Sequence, residues 1–317
     1  MSSPHGDDGS ARAVFAAFLA NLGIAVAKFV AFAVTGAASM LAEGVHSVAD
    51  TGNQGLLTLG ARKSKKPPTA KHPFGHGRER YFWGFVVAVV LFTAGSLFAL
   101  LEGVEKLRTP HELESPAWAV GTLVVAFVLE SFSLRTAVRE SREVKGEQSW
   151  PAFIRHVRIP ELPVVLLEDT GALLGLAFAL LGVGLAEVTG NPRFDAVGSL
   201  AIGGLLAVIA FVLAHEMKSL LIGEAATPEM QRRITAALER TPGVERVIHL
   251  RTEHLGPDDL LVVAKFAVDP QRPSGETAEV IDRAEAAVRA DVPEARLMFL
   301  EPDVDRRMPA RDQGGPS

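Results

Sequence analysis

The chain lacks cysteine altogether, and its basic residues are outnumbered by acidic ones. Without cysteine it forms neither disulfides nor thiolate metal sites, so any transition-metal site must use His, Asp and Glu. The 32 Lys and Arg residues stand against 37 Asp and Glu residues, which gives a formal net charge of −5. This balance argues against nucleic acid as a partner.

Apolar residues are abundant and unevenly distributed. They make up 48% of the chain, and the mean hydropathy is +0.22 although 22% of the residues are charged. Most of them fall into blocks of the length that a helix needs to cross a bilayer, about 20 residues. The six predicted spans are residues 14–34, 39–61, 81–101, 116–134, 159–186 and 195–222. We therefore expect an integral multi-pass membrane protein.

Lys and Arg are concentrated on one side of these predicted spans. The loops at 62–80 and 135–158 are rich in both, whereas the other side carries only Lys106, Arg108 and Arg193. By the positive-inside rule, both basic loops and both termini lie in the cytoplasm. The first ten residues are polar and acidic, unlike a signal or transit peptide, so we expect a bacterial plasma membrane.

The composition becomes charged after residue 222. Helical periodicity at 228–240 and 275–290 alternates with apolar strand patterns at 244–250, 260–268 and 295–300. This α-β-β-α-β order predicts a small α/β open-faced sandwich, ferredoxin-like, with helices on one face. The predicted domains are a disordered tail at 1–10, a six-helix transmembrane domain at 11–222, a cytoplasmic domain at 223–305 and a disordered tail at 306–317.

Ionisable residues inside the predicted spans are the main functional signal. His46 and Asp50 are four residues apart, on one face of a helix. At 1.5 Å per residue, four carboxylates lie about 13–17 Å from the cytoplasmic ends of their helices. They are Asp50, Glu130, Glu168 and Asp169. Buried carboxylates at one depth repel each other unless a cation joins them, so the pattern predicts a divalent metal site.

Structural alternatives remain for these residues. His46 and Asp50 could bond to each other and lock helix packing, and Glu130 could pair with the arginine five residues on. Glu168 and Asp169 point about 100° apart, so we expect only one of them to face the ion directly.

A second candidate site lies in the cytoplasmic loop KHPFGHGRER. His72 and His76 could chelate a metal across a turn at Gly75, with Glu79 as the nearby acid. Alternatively, the proline, phenylalanine and glycines of this loop only shape the entry to the third span.

The chain resembles the cation diffusion facilitators over about residues 11–305. The resemblance rests on HSVAD in the second span, KHPFGHGRERYFW after it, LLEDTGALLG in the fifth span and the small domain that follows. It is greatest to the branch that includes the animal mitochondrial zinc transporter. It implies a dimeric metal/proton antiporter in which His46 and Asp50 match the family's HxxxD pair.

The fifth span departs from the family's HxxxD pattern. With Asp169 at the aspartate position, Val165 takes the histidine position and Glu168 stands beside it as a replacement carboxylate. In the other register, Glu168 replaces the histidine and Ala172 takes the aspartate position. Three carboxylates and one imidazole form a hard donor set, so Mn²⁺, Fe²⁺ and Co²⁺ are alternatives to Zn²⁺ as the transported metal.

The resemblance also bears on the sites outside the membrane. The family's loop site resembles His72 and His76, but Thr69 replaces its usual acid. In the C-terminal domain only Glu301 falls near a bridging position, so we expect a homodimer that forms without metal.

The function predicted is proton-coupled export of a divalent metal from the cytoplasm by alternating access. Protonation of His46 and Asp50 supplies the counter-ion, because imidazole and carboxylate must lose their protons to bind metal. Arg78 and Glu224 are expected to form a charge link at the membrane surface, and lipid surrounds the helices.

Other functions were weighed against metal export. No HExxH run is present, so a metal-dependent hydrolase, or any enzyme, is not expected. The alternatives are a Mn/Fe-selective exporter of the same fold and a membrane scaffold or regulatory protein with a vestigial metal site.

Overall fold

A computed structural model describes residues 38–110 and 116–304, together with the isolated positions 22, 26, 29, 30 and 33. The chain divides into two compact units. The first comprises Met1–Lys66 and Arg78–Leu221, and the second comprises Pro67–Gly77 and Ile222–Ser317. The basic loop that carries His72 and His76 thus belongs to the same unit as the C-terminal residues.

The described part of the first unit is helical. Its helices are α1 (Ala38–Ser64), α2 (Glu79–Val86), α3 (Thr93–Arg108), α4 (Pro116–Lys145), α5 (Trp150–His156), α6 (Glu161–Thr189) and α7 (Arg193–Ile222). A π-helical segment, Val87–Phe92, continues α2 into α3.

Three stretches among the described residues are long and apolar enough to cross a membrane. They are Glu79–Arg108, Glu161–Thr189 and Arg193–Ile222, and they fall on the third, fifth and sixth predicted spans. The second and fourth predicted spans fall on α1 and α4, which are long helices with more polar residues. The first predicted span lies outside the described residues except at five positions. Six membrane spans are therefore not confirmed.

Two kinds of contact hold the first unit together. One apolar cluster joins α1, the π-helical segment, α6 and α7 through Leu57, Val87, Val164, Ile209 and Leu213. Beyond it, α3 and α7 approach closely at glycines, and Ser96 Oγ donates to the carbonyl oxygen of Gly203 at 2.8 Å. An ion pair of 2.8 Å from Lys106 Nζ to Asp195 Oδ2 joins the last turn of α3 to the first turn of α7.

The second unit has the predicted α-β-β-α-β order. Its elements are α8 (Pro228–Glu239), β1 (Arg246–Gly256), β2 (Asp259–Ala267), α9 (Ser274–Asp291) and β3 (Leu297–Asp303). The strands are ordered β1-β2-β3, with β1 antiparallel and β3 parallel to the central strand. The parallel pair needs a crossover connection, and α9 supplies it.

One face of this sheet is buried against both helices. Leu260, Val262 and Ala264 alternate along β2 and are fully or almost fully buried in a cluster with Ile234 of α8 and Val288 of α9. The residues between them, such as Val263, lie on the opposite and more exposed face. This period of two is typical of a sheet that is covered on one side, and the open-faced arrangement was predicted.

Two boundaries and one short helix differ from prediction, and all three lie outside the apolar runs. Helix α4 runs on to Lys145, β1 runs on to Gly256, and α5 was not predicted at all. All three stretches are polar or mixed in character, whereas the predictions followed apolar runs. Backbone hydrogen bonding continues an element after its hydrophobic pattern has ended.

Candidate metal site

The face of α1 that carries positions 46 and 50 contacts α6. The backbone is helical at both positions, but the side chains of His46 and Asp50 lie outside the described residues. Asn53 follows Asp50 by three residues and His46 by seven, so all three positions share one face. Asn53 is only 4% exposed, and its Nδ2 donates to Glu168 Oε1 at 2.6 Å.

The neighbouring carboxylate of α6 is held by a different helix. Asp169 is 8% exposed, and Ser133 Oγ of α4 donates to its Oδ2 at 2.9 Å. Consecutive residues of a helix point about 100° apart. Accordingly, Glu168 bonds to α1 while Asp169 bonds to α4, and this pair of carboxylates lies where α1, α4 and α6 meet.

Glu130 lies on the side of α4 that contacts α6. It is half-buried and precedes Ser133 by three residues, which places the two on one face. Among the described residues no three His, Asp or Glu side chains form a group that could hold a metal ion. Because the side chains at positions 46 and 50 are outside that set, the full ligand group stays a prediction.

Asn53 and Ser133 are site residues that the sequence reasoning missed. The signal for Asn53 was present, since it continues the i, i+4 face of His46 and Asp50 by one turn in HSVADTGN. For Ser133 there was no comparable signal. Serine is common in apolar helices, where its hydroxyl usually bonds to the preceding turn, as Ser131 Oγ does to the carbonyl oxygen of Phe127.

The two loop histidines lie side by side. The ring centroids of His72 and His76 are 4.7 Å apart, and Gly75 between them has φ of +84°, a conformation that favours glycine. His76 Nδ1 is buried without a hydrogen-bond partner among the described residues. Glu79 accepts a hydrogen bond from Trp83 Nε1 at 2.9 Å. The loop thus offers two imidazoles side by side.

Glu301, the candidate bridging ligand of the second unit, is paired with a lysine. Lys265 Nζ lies 2.9 Å from Glu301 Oε1 and 3.2 Å from Asp303 Oδ2. The hydrogen bonds to Glu301 and then to Asp303 raise the pKa of Lys265 above its ordinary value. A lysine that stays charged neutralises the carboxylate that a bridging metal would need. The link between Arg78 and Glu224 stays a prediction.

These features define a multi-pass membrane protein with a small α/β domain after its last apolar helix. Residues 14–222 match the family described as cation efflux transmembrane domain, and residues 226–299 match the cation efflux protein cytoplasmic domain. The chain belongs to the cation efflux family. The resemblance to cation diffusion facilitators is confirmed.

Named relatives agree with the predicted branch. The mitochondrial proton-coupled zinc antiporter SLC30A9 of Homo sapiens is 38% identical over 232 residues, which cover 72% of this chain and 41% of that protein. Metal tolerance protein C4 of Arabidopsis thaliana is 31% identical, covering 84% of this chain and 58% of that one. Magnetosome protein MamB of Paramagnetospirillum magneticum is 25% identical, covering 91% and 93%. The chain thus spans about two fifths of the length of SLC30A9.

Proposed function

We propose that this chain exports a divalent metal ion, Zn²⁺ first, from the cytoplasm in exchange for protons. The observation that carries the proposal is the hydrogen bond from Asn53 to Glu168, since it joins the helix face of positions 46 and 50 to one of the two adjacent carboxylates of α6. The family and the relative named as a proton-coupled zinc antiporter support it.

The metal is the substrate, and four residues are proposed to bind it. His46 and Asp50 come from α1, and Asp169 with Glu168 beside it comes from α6; Glu130 of α4 is a further candidate. Imidazole and carboxylate bind metal only when deprotonated. Protons that bind His46 and Asp50 from the side of the membrane opposite the cytoplasm therefore weaken metal binding and release the ion. The empty site then carries these protons back to the cytoplasmic side.

A Mn/Fe-selective exporter of the same fold is the second candidate. The observation that favours it is that the polar groups joined around α6 are oxygen-rich, with two carboxylates, the amide of Asn53 and the hydroxyl of Ser133. Oxygen donors suit Mn²⁺ and Fe²⁺, and Co²⁺ lies between these ions and Zn²⁺ in preference.

The remaining proposals concern assembly and membrane. The match of residues 226–299 supports a homodimer formed through the cytoplasmic domain. The pairing of Glu301 with Lys265 favours a dimer that forms without bridging metal. We propose that the basic loops and both termini lie in the cytoplasm and that the protein resides in a plasma membrane. The 38% identical relative, by contrast, is named as mitochondrial. His72 with His76 forms a secondary loop site, and Arg78 with Glu224 forms a charge link.

The test is metal uptake into proteoliposomes under an imposed pH gradient. Wild type, Asp50→Ala and the matched control Glu187→Ala, an exposed carboxylate of α6, are compared with Zn²⁺, Mn²⁺, Fe²⁺ and Co²⁺. We expect gradient-driven uptake in wild type and the control, and none in Asp50→Ala. Absence of flux for every metal would contradict transport and favour a scaffold with a vestigial site. Uptake without proton dependence would indicate a channel.

A further inference from the structure

Asn53 carries a buried oxygen whose presence the fold alone does not explain. Its side chain is 4% exposed, and its Nδ2 is used by Glu168. Its Oδ1 has no hydrogen-bond partner among the described residues, and neither does the buried Oε1 of the next residue, Gln54. A buried acceptor without a partner costs free energy, so the Oδ1 of Asn53 needs a donor or a cation beyond the described residues.

A cation suits this position because a carboxylate and an amide oxygen lie together there. Asn53 lies on the same face of α1 as positions 46 and 50, and its amide group contacts the carboxylate of Glu168. Amide carbonyl oxygens are neutral, hard ligands that occur beside carboxylates in the sites of oxygen-preferring ions. With its nitrogen directed at Glu168, the amide holds that carboxylate and presents an oxygen beside it.

We propose that Asn53 Oδ1 is an additional ligand of the transported cation and that Asn53 Nδ2 positions Glu168 next to it. The inference rests on the proposed function and adds the residue that sets metal preference. An uncharged oxygen contributes more to binding of Mn²⁺ than of Zn²⁺, because Zn²⁺ draws more of its affinity from imidazole. Asn53 therefore shifts the site towards Mn²⁺.

The experiment measures equilibrium binding of Mn²⁺ and Zn²⁺ to the full chain in lipid nanodiscs, followed by transport kinetics. Asn53→Leu keeps the branched shape and the number of side-chain heavy atoms and removes both polar atoms, whereas Asn53→Asp keeps an oxygen at the position of Oδ1. Thr58→Val is the matched control, since the Thr58 hydroxyl donates to the carbonyl oxygen of Gln54 within the same helix. Circular dichroism and size-exclusion profiles report whether each variant folds.

We expect Asn53→Leu to weaken Mn²⁺ binding about tenfold and Zn²⁺ binding about threefold, which is the ordering expected for loss of a hard ligand. The KM for Mn²⁺ should rise with it while kcat changes less. Asn53→Asp should bind Mn²⁺ within about threefold of wild type, and Thr58→Val should bind both ions as wild type does.

Two results would overturn the inference. One is wild-type binding of both ions by Asn53→Leu, which would assign Oδ1 to a buried water. The other is an equal loss of affinity for both ions in Asn53→Leu together with no recovery of affinity in Asn53→Asp. This result would mean that Asn53 only contributes to packing. If Asn53→Leu does not fold, Asn53→Ala decides, because it also removes both polar atoms and wild-type affinity for both ions in that variant contradicts the proposal. If the wild type transports metal and the Asn53 variants bind and transport both ions as the wild type does, only this inference is wrong. If the wild type transports no metal, the proposed function is wrong.

Discussion

Arg80 and Glu161 form a two-point ion pair that joins the start of α2 to the start of α6. The distance from Arg80 Nε to Glu161 Oε1 is 2.8 Å, and that from Arg80 Nη2 to Glu161 Oε2 is 3.0 Å. The two side chains are 19% and 23% exposed, so solvent screens the pair only partly. Glu161 precedes Glu168 by two helical turns, so this pair anchors the end of the helix that presents the candidate ligands.

Breaking this pair should destabilise the protein measurably. Arg80→Gln and Glu161→Gln should each lower the free energy of unfolding by about 1–3 kcal/mol, because each leaves a half-buried charge without its two-point partner. Denaturant unfolding in micelles measures the loss. Arg283→Gln, which breaks an exposed i, i+4 pair with Glu279, should change stability by less than about 0.5 kcal/mol.

A double variant that exchanges the two charges tests whether the two residues interact energetically. Arg80→Glu with Glu161→Arg should recover part of the stability that either single change removes. If the losses simply add in the double variant, the two residues do not interact energetically and the prediction is wrong.

The contact between α3 and α7 allows a comparison of two adjacent glycines. A Cβ added at Gly203 would lie 2.6 Å from Leu100 Cγ and 2.9 Å from the backbone nitrogen of Leu100, whereas one added at Gly204 would meet nothing within 4 Å. Gly203→Ala should therefore lower the unfolding free energy by about 1–3 kcal/mol through overpacking. Gly204→Ala should leave it equal or raise it by up to about 1 kcal/mol, because alanine favours the helix. Equal thermal shifts for both variants would show that the helices separate easily here.

The sequence predicted the elements whose residues repeat with a clear period. The apolar runs predicted the helical stretches at α6 and α7, and the alternation of Leu260, Val262 and Ala264 predicted a half-covered strand. Such patterns are local, because each residue reports on its own burial. The predicted family followed from short motifs on either side of the third span.

The contacts between helices could not be predicted in the same way. Nothing in the chain near residue 133 indicates that its hydroxyl reaches a carboxylate 36 residues away, and Asn53 is separated from Glu168 by 115 residues. Helix rotation and pairing decide these contacts, and both depend on packing of the whole unit. The sequence therefore indicated Glu168 and Asp169 as candidate ligands, but it did not indicate which polar residues bond to them.

Ser133 should influence metal affinity through Asp169. Under the proposed function, Ser133→Ala removes the hydrogen bond to Asp169 Oδ2 and should raise the KM for metal about three- to tenfold, which corresponds to the usual net worth of one hydrogen bond, about 1 kcal/mol. Ser133→Thr keeps the hydroxyl and should stay near wild type. Ser131→Ala is the matched control, because that hydroxyl bonds within its own helix. A wild-type KM in Ser133→Ala would mean that this hydrogen bond does not orient Asp169 for metal binding.

The ion pairs of Lys265 with Glu301 and Asp303 should contribute a stability that does not vary with pH over the neutral range. Glu301 and Asp303 raise the pKa of Lys265 in the folded state. The stability that its ion pairs contribute is therefore fully present below the pKa of lysine in the unfolded chain, about 10.4. This stability is lost only as the pH rises through the higher pKa of the folded state. The difference in melting temperature between wild type and Lys265→Met should therefore stay constant from about pH 6 to pH 9. Melting curves of the full chain across this interval measure it, with EDTA present to exclude metal. A difference that shrinks before about pH 9 would show that Lys265 loses its proton early and that the two carboxylates do not hold it.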